Sequence, residues 1–360
     1  MSKADSPIDT IWYTRCAGRG RGGVPTAIGI ASRLGWLREE FAVDNIELRS
    51  LQDDDAEEVR HHHYDHGLTT LIREGGNLFS IPAKAQGART RLIGLTWIDE
   101  GQAILVRPGS NISSAADLKG KRLALPAFNE RDIAENKRGR SIARLMALHG
   151  YKGALQSAGL TLDDVELVET RPAAATDADG WRRGNAWAGL EPLLRGEIDG
   201  FYVKGGNAAD LAREHGLAVG VDIDALPEKR FRVNNGTPRP ITVHEEFIEK
   251  HFDYLARFLA QVLRAGEWAK TNLSGVYDAL HKETGASLEG LRTAYKNDFH
   301  KTLTPDLSEE RVALFRQQKN FLLTYGILDR DFDFDAWIDR RPLAAAWEIL
   351  EERSKVRQAG

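Results

Sequence analysis

Strand-like and helix-like runs alternate from residue 10 to about residue 220, and the series changes register near 105 and again near 235. Alternation of this kind builds open sheets flanked by helices, an α/β architecture. Residues 10–16 read as a strand. Thr26 to Phe41 read as a helix with Ile28, Ala31, Leu34, Leu37 and Phe41 on one face. Ile46 to Leu48 gives the next strand, and Asp65 caps a short helix that runs to Arg73 and stops at Gly75-Gly76. Pro82 falls near the start of a further helix. Arg91–Ile98 and Gln102–Val106 follow as strands. A second series then runs from Arg107 to Val221, with Asp117-Leu-Lys-Gly-Lys-Arg-Leu-Ala-Leu-Pro126 as half-turn, tight turn and strand. Phe231-Arg-Val and Ile241-Thr-Val243 read as strands returning to the first series, and residues 245–350 as almost entirely helical.

At 360 residues the chain exceeds what one core holds, so two lobes are expected. Residues 1–105 with 240–360 form a discontinuous first lobe carrying the C-terminal helices, and residues 106–239 form the second. Open α/β sheets bind ligands beyond the carboxyl ends of their strands, which places the site in the cleft between lobes. The Pro126-Ala-Phe-Asn129 and Lys204-Gly-Gly-Asn207 stretches are the second lobe's expected contributions. Gly205-Gly206 before a helix suits either an anion seat or a plain turn.

A formal net charge of −4 gives no reason to expect nucleic acid as a partner. No apolar run approaches the ~20 residues of a membrane helix. The polar N-terminus enters the first strand at once, which leads to the expectation of a cytoplasmic protein. A single cysteine excludes an intramolecular disulfide framework.

That cysteine, Cys16, ends the first strand just before Gly18-Arg-Gly20-Arg-Gly-Gly23. A thiol beside free backbone N–H groups and a helix N-terminus is activated and reachable, whereas a free cysteine elsewhere is mostly a small buried hydrophobe. The glycine run matches G-x-G-x-x-G formally, but no acidic residue stands at the end of the second strand, and Pro25 interrupts the turn. His61, His62, His63 and His66 with Asp65 offer metal-ligand atoms, but no second cluster completes a tetrahedral set, and a solvated histidine run accounts for them better. Arg73 before two glycines suits an oxyanion, or a surface arginine in a last helical turn.

The stretch from Asp117 to Pro126, with Glu246-Phe-Ile-Glu-Lys-His-Phe-Asp-Tyr-Leu-Ala-Arg-Phe-Leu259, resembles sulfonate-, nitrate- and thiamine-precursor-binding proteins. The resemblance implies a two-lobed type II periplasmic-binding-protein-like fold. A narrower set, Tyr13-Thr-Arg-Cys16, His61-x-x-Tyr64-Asp65, Arg73-x-Gly75-Gly76, Arg89-Thr-Arg-Leu-Ile-Gly94 and Asp164-Val-Glu-Leu-Val168, resembles the hydroxybiphenyl-sulfinate desulfinase family. That family implies hydrolysis of a carbon–sulfur bond in the cytoplasm, releasing sulfite, with no cofactor and no metal. It implies Cys16, His61 and Arg73 as catalytic residues, with His62 or His63 as alternatives to His61. Gly76, Gly75 and Tyr64 are implied as substrate-binding residues and a small organosulfur anion as the partner. The Gly/Arg run after Cys16 is longer than the family's turn, and residues 126–143 are polar where a biphenyl pocket wants apolar surface. The alternative is a solute-binding protein for a sulfonate, nitrate or similar anion, with a transporter as partner and no chemistry.

Overall fold

The computed structural model describes residues 8–15, 24–54, 57–171, 188–296 and 298–359. Cys16 and the Gly18–Gly23 run lie outside the described residues. The strands, in chain order, are β1 (Thr10–Tyr13), β2 (Glu47–Ser50), β3 (Leu71–Glu74), β4 (Thr90–Thr96), β5 (Ala103–Val106), β6 (Arg122–Pro126), β7 (Glu166–Thr170), β8 (Phe201–Val203), β9 (Ala218–Asp222) and β10 (Arg239–His244). The helices of the first half are α1 (Ala27–Arg33), α2 (Trp36–Ala42), α3 (Glu57–Asp65), α4 (Asn77–Ala85), α5 (Glu130–Ala134) and α6 (Ile142–Ser157).

Two groups of strands result. The first is a sheet in the order β2-β1-β3-β10-β4, parallel except for β10, which returns antiparallel between β3 and β4. The second comprises β8-β5-β9 and the parallel pair β6-β7, joined where Ala124 N–H donates to Gly200 O at 3.0 Å. The fold is the two-lobed binding-protein-like architecture, with long helices such as Phe252–Ala269 and Glu309–Thr324 in the C-terminal region. Phe258 of the first of these packs against Tyr13 and Phe41, with ring centroids 6.1 and 6.3 Å apart. Each such fully buried ring contributes roughly 1.5–3 kcal/mol of transfer free energy.

Several expected elements differ. Residues 26–41 form two helices rather than one, because Gly35 takes a left-handed φ of +80° between α1 and α2, and Leu34 at that break is exposed. β5 belongs to the second sheet, although its residues were expected to close the first lobe. Its run Ala103-Ile-Leu-Val106 is apolar on both faces, a pattern that marks a covered strand without saying which sheet covers it. Phe231 sits in a 3-10 turn, and the return to the first sheet begins only at β10. Pro82 is inside α4 rather than at its start. Proline has no N–H for the carbonyl four residues back, Leu78 O, and Gly139 of the second lobe closes over that carbonyl instead.

Candidate active site at the crossover

Residues 65–73 were expected to be helical, yet α3 ends at Asp65 and Arg73 lies on a strand. The helix stops because His66 adopts a left-handed φ of +57°, while Asp65 Oδ1 accepts from Gly67 N–H at 2.9 Å. Leu71 to Glu74 are then buried between β1 and β10, where a strand's ladder bonds outweigh a weak helical pattern.

Arg73 is fully buried. Its Nε donates to His63 O at 2.7 Å and its Nη2 to Gly76 O at 2.8 Å. The guanidinium can fold back this way because Gly75 has no side chain: a Cβ there would stand 2.7 Å from Cζ. Charge-assisted bonds of this kind contribute about 1.5–3 kcal/mol each and fix the plane of the fork. Gly76 opens α4, and a Cβ on it would lie 2.3 Å from Asn235 Oδ1.

Of the histidine run, His63 has its backbone carbonyl bonded to Arg73. Its ring lies edge-on to Phe79 at 5.2 Å, and the Arg73 guanidinium is 5.8 Å from the Phe79 ring centre. Burial, then the charges of Arg73, His66 and Arg239, hold the His63 imidazole neutral well below its ordinary range. Its Nδ1 is buried with no hydrogen-bond partner among the described residues. His61 is half-buried on the same helix. His62 is held by Asp65 at 3.0 Å, and His66 Nε2 meets Thr242 Oγ1 at 2.8 Å. Among the described residues, no three His, Cys, Asp or Glu side chains converge on a point that could hold a metal. Tyr64 packs on Phe79 at 5.7 Å, and its hydroxyl donates to Gln86 Oε1 at 3.0 Å.

Glu74, the next residue on β3, was not anticipated. Its buried carboxylate accepts from Ile28 N–H at 3.0 Å and from Thr96 Oγ1 at 3.2 Å, and its carbonyl accepts from Thr14 Oγ1 at 2.7 Å. Burial pushes this carboxyl up to about 7, against the pull of the Ile28 N–H, Arg239, Thr96 and the Ala27 N–H. A carboxyl that binds its proton more tightly when folded favours the fold most below its ordinary value of 4.5 and loses that advantage as pH rises through about 7. The span corresponds to about 3 kcal/mol. Glu74→Gln is therefore expected to unfold at higher urea than the parent at pH 8 and with it at pH 4.5. Parallel pH dependences of the two proteins would contradict this.

Around these residues the contacts close a ring. From Arg73 and Gly76 it passes to Asn235 and Gly236, and a Cβ at Gly236 would fall 2.6 Å from the Glu100 carboxyl carbon. Glu100 is paired with Lys204 and Arg239. Asn207, three residues on, donates to Thr284 O at 3.3 Å, and the adjacent Glu283 stands 3.9 Å from Arg15. Arg15 follows Thr14, whose hydroxyl returns to β3. Arg15 directly precedes Cys16 in the chain.

Behind the ring lies a buried amide network. Asn77 Nδ2 donates to Asn234 O at 2.7 Å and Pro238 O at 3.1 Å; Asn234 Nδ2 donates to Gln102 Oε1 at 2.9 Å and Met146 O at 3.0 Å. These amides are scattered through the sequence with no shared motif. The Pro126–Asn129 stretch, expected to face a ligand, spends its polar atoms locally: Asn129 Oδ1 caps α5, and Pro126 O accepts from Arg144 at 2.9 Å. The polarity of residues 126–143 is largely internal, with Glu135 bound by Arg131, Lys137 and Arg140, and Asp132 buried beside Ser141.

A chain with these two groups of strands and a helical C-terminal region has a binding-protein-like fold. More particularly, the chain belongs to the NMT1/THI5-like family, whose model matches residues 30–272. It is 28% identical to the 2'-hydroxybiphenyl-2-sulfinate desulfinase of Rhodococcus erythropolis over 93% of both chains. Among solved structures it resembles a cysteine-to-serine variant of the desulfurization enzyme DszB in complex with biphenyl-2-sulfinic acid, with a TM-score of 0.71, 23% identity, and 95% of this chain and 99% of that one covered. It also resembles the periplasmic aliphatic sulphonate binding protein SsuA from Escherichia coli, with a TM-score of 0.64, 15% identity, and 93% and 92% covered.

Proposed function

We propose that the cleft hydrolyses the carbon–sulfur bond of an aryl or related sulfinate, releasing sulfite. The observation that carries this reading is Arg73: a buried guanidinium held flat over Gly75 and Gly76, on the strand that Thr14 ties to the chain leading into Cys16. Its N–H groups and the Gly76 N–H bind the sulfinate oxygens. His61, or in its place His63, whose backbone carbonyl accepts from Arg73, is the histidine that tunes the thiol.

The reaction balances with water alone. The C–S bond breaks, the arene carbon takes one proton from water, and sulfur takes the hydroxide, so that sulfinate and water give arene and bisulfite. Cys16 acts either by attacking sulfur as thiolate or by passing a proton to the leaving carbon, and the neighbouring histidine sets which form it is in. Likeness to the R. erythropolis desulfinase over nearly the whole chain supports this assignment. The second reading, a receptor for a sulfonate or similar anion with a transporter as partner, draws on the likeness to the sulphonate binding protein.

Cys16→Ser separates the two. The variant is expected to lose sulfite release from biphenyl-2-sulfinate by about 10³-fold or more while still binding the sulfinate, as judged by calorimetry. Undiminished turnover would remove Cys16 from the mechanism.

A further inference from the structure

Helix α4 is touched both by α3, which carries the histidine run, and by residues 136–139, which follow α5. Near its start, Phe79 meets the rings of His63 and Tyr64, and Gly139 closes over Leu78 O. At its end, one side chain bonds to both neighbours. Gln86, the C-cap of α4, takes the Tyr64 hydroxyl on Oε1 at 3.0 Å, while its Nε2 donates to Asn136 O at 2.6 Å and to Asp329 Oδ2 at 3.1 Å. Asn136 Nδ2 donates to the same Asp329 oxygen at 2.9 Å, from a backbone at φ +54°.

The chemistry of these partners fixes which way Gln86 points. A backbone carbonyl and a carboxylate only accept, so the amide nitrogen must face them and the oxygen is left for Tyr64. Burial, then the Asp329 charge, raises the Tyr64 phenol, which stays protonated and donates. Tyr64 is buried and gripped at two points, its ring on Phe79 and its hydroxyl on Gln86. It follows His63 on α3, and His63 O accepts from Arg73 Nε. A displacement of Gln86 therefore passes through Tyr64 to the acceptor that helps set the plane of the Arg73 fork.

We propose that Gln86 is a positioning residue: it ties α3, and through it Arg73, to residues 136–139, so that the anion seat keeps its shape only while that segment is docked. This rests on the reading of the cleft as an organosulfur-anion site around Arg73. Gln86, Asn136 and Asp329 are exposed, so the tie can be altered without opening the core.

Gln86→Glu is nearly isosteric, but it turns an amide that donates twice into a carboxylate facing a carbonyl and the Asp329 carboxylate. In sulfite release from biphenyl-2-sulfinate, Gln86→Glu is expected to raise KM about tenfold with kcat within about twofold of the parent. Gln86→Glu with Asp329→Asn, which exchanges the amide and the carboxylate, should bring KM back to within about threefold. In a Tyr64→Phe background, Gln86→Glu should change KM by less than about twofold, because the hydroxyl that transmits the shift is gone. A clasp that only stabilised the fold would lower the unfolding temperature and leave these KM values alone. An unchanged KM in Gln86→Glu, a loss that the exchange does not repair, or effects of Gln86→Glu and Tyr64→Phe that simply multiply would overturn the proposal. If the parent releases no sulfite, the hydrolytic reading fails, and the same variants are compared by calorimetric Kd for biphenyl-2-sulfinate. The same pattern in Kd upholds the proposal; no binding, or an unchanged Kd in Gln86→Glu, overturns it.

Discussion

Arg73→Ala is expected to lower sulfite release from an aryl sulfinate by about 10³-fold and to abolish measurable binding of the sulfinate. A single preorganised donor to a developing oxyanion is worth about 10²–10³ in rate. A guanidinium contributes charge as well as two directed donors. The residue is also structural, since its removal leaves His63 O and Gly76 O without the donors that bind them, so a loss of roughly 2–4 kcal/mol in stability accompanies the loss of function. Arg73→Lys distinguishes the two roles. A lysine restores the charge without the planar fork, and should recover much of the stability but at most about a tenth of the activity. Full activity in Arg73→Lys would mean that charge alone suffices and that the geometry over Gly75 is incidental.

Gly139→Ala is expected to have a large effect for a single added methyl group. A Cβ there would come within 2.2 Å of Leu78 O and 2.7 Å of Pro82 Cγ. Neither atom can retreat cheaply: Leu78 O is backbone in α4, and Pro82 is the ring that removes that carbonyl's helical donor. The second lobe must move away from α4, at a cost of about 2–4 kcal/mol. Because Gly76 caps α4, the displacement reaches the proposed anion seat. The variant should unfold several degrees lower and show a raised KM for the sulfinate with a smaller change in kcat. An unchanged unfolding temperature would mean that the lobes tolerate separation at this contact.

Much of the fold was legible because it follows from patterns the chain repeats. The βα alternation marks sheets flanked by helices, and the apolar face of Ile28, Ala31, Leu37 and Phe41 marks helices packed on the first of them. What periodicity could not supply was the state of short segments whose neighbours decide it. Leu71-Ile-Arg-Glu74 is four residues long and becomes a strand only because β1 and β10 flank it. The pull of Arg73 on His63 depends on that strand and is therefore invisible in a reading that makes residues 65–73 helical. Glu74, Asn77, Gln102 and Asn234 share no motif, and their contacts arise from the tertiary fold alone. The Arg73-x-Gly75-Gly76 spacing was informative because glycine permits a close approach, and both glycines are used in this way.

The claim on which the rest depends is that this cleft breaks a bond rather than merely holding an anion. The most direct measurement is product stoichiometry: purified protein is incubated with excess biphenyl-2-sulfinate, and sulfite and biphenyl are quantified together. The expected result is many equivalents of each per chain, in equal amounts and without added cofactor. Recovery of the sulfinate intact, bound at one equivalent and released unchanged on denaturation, would contradict it.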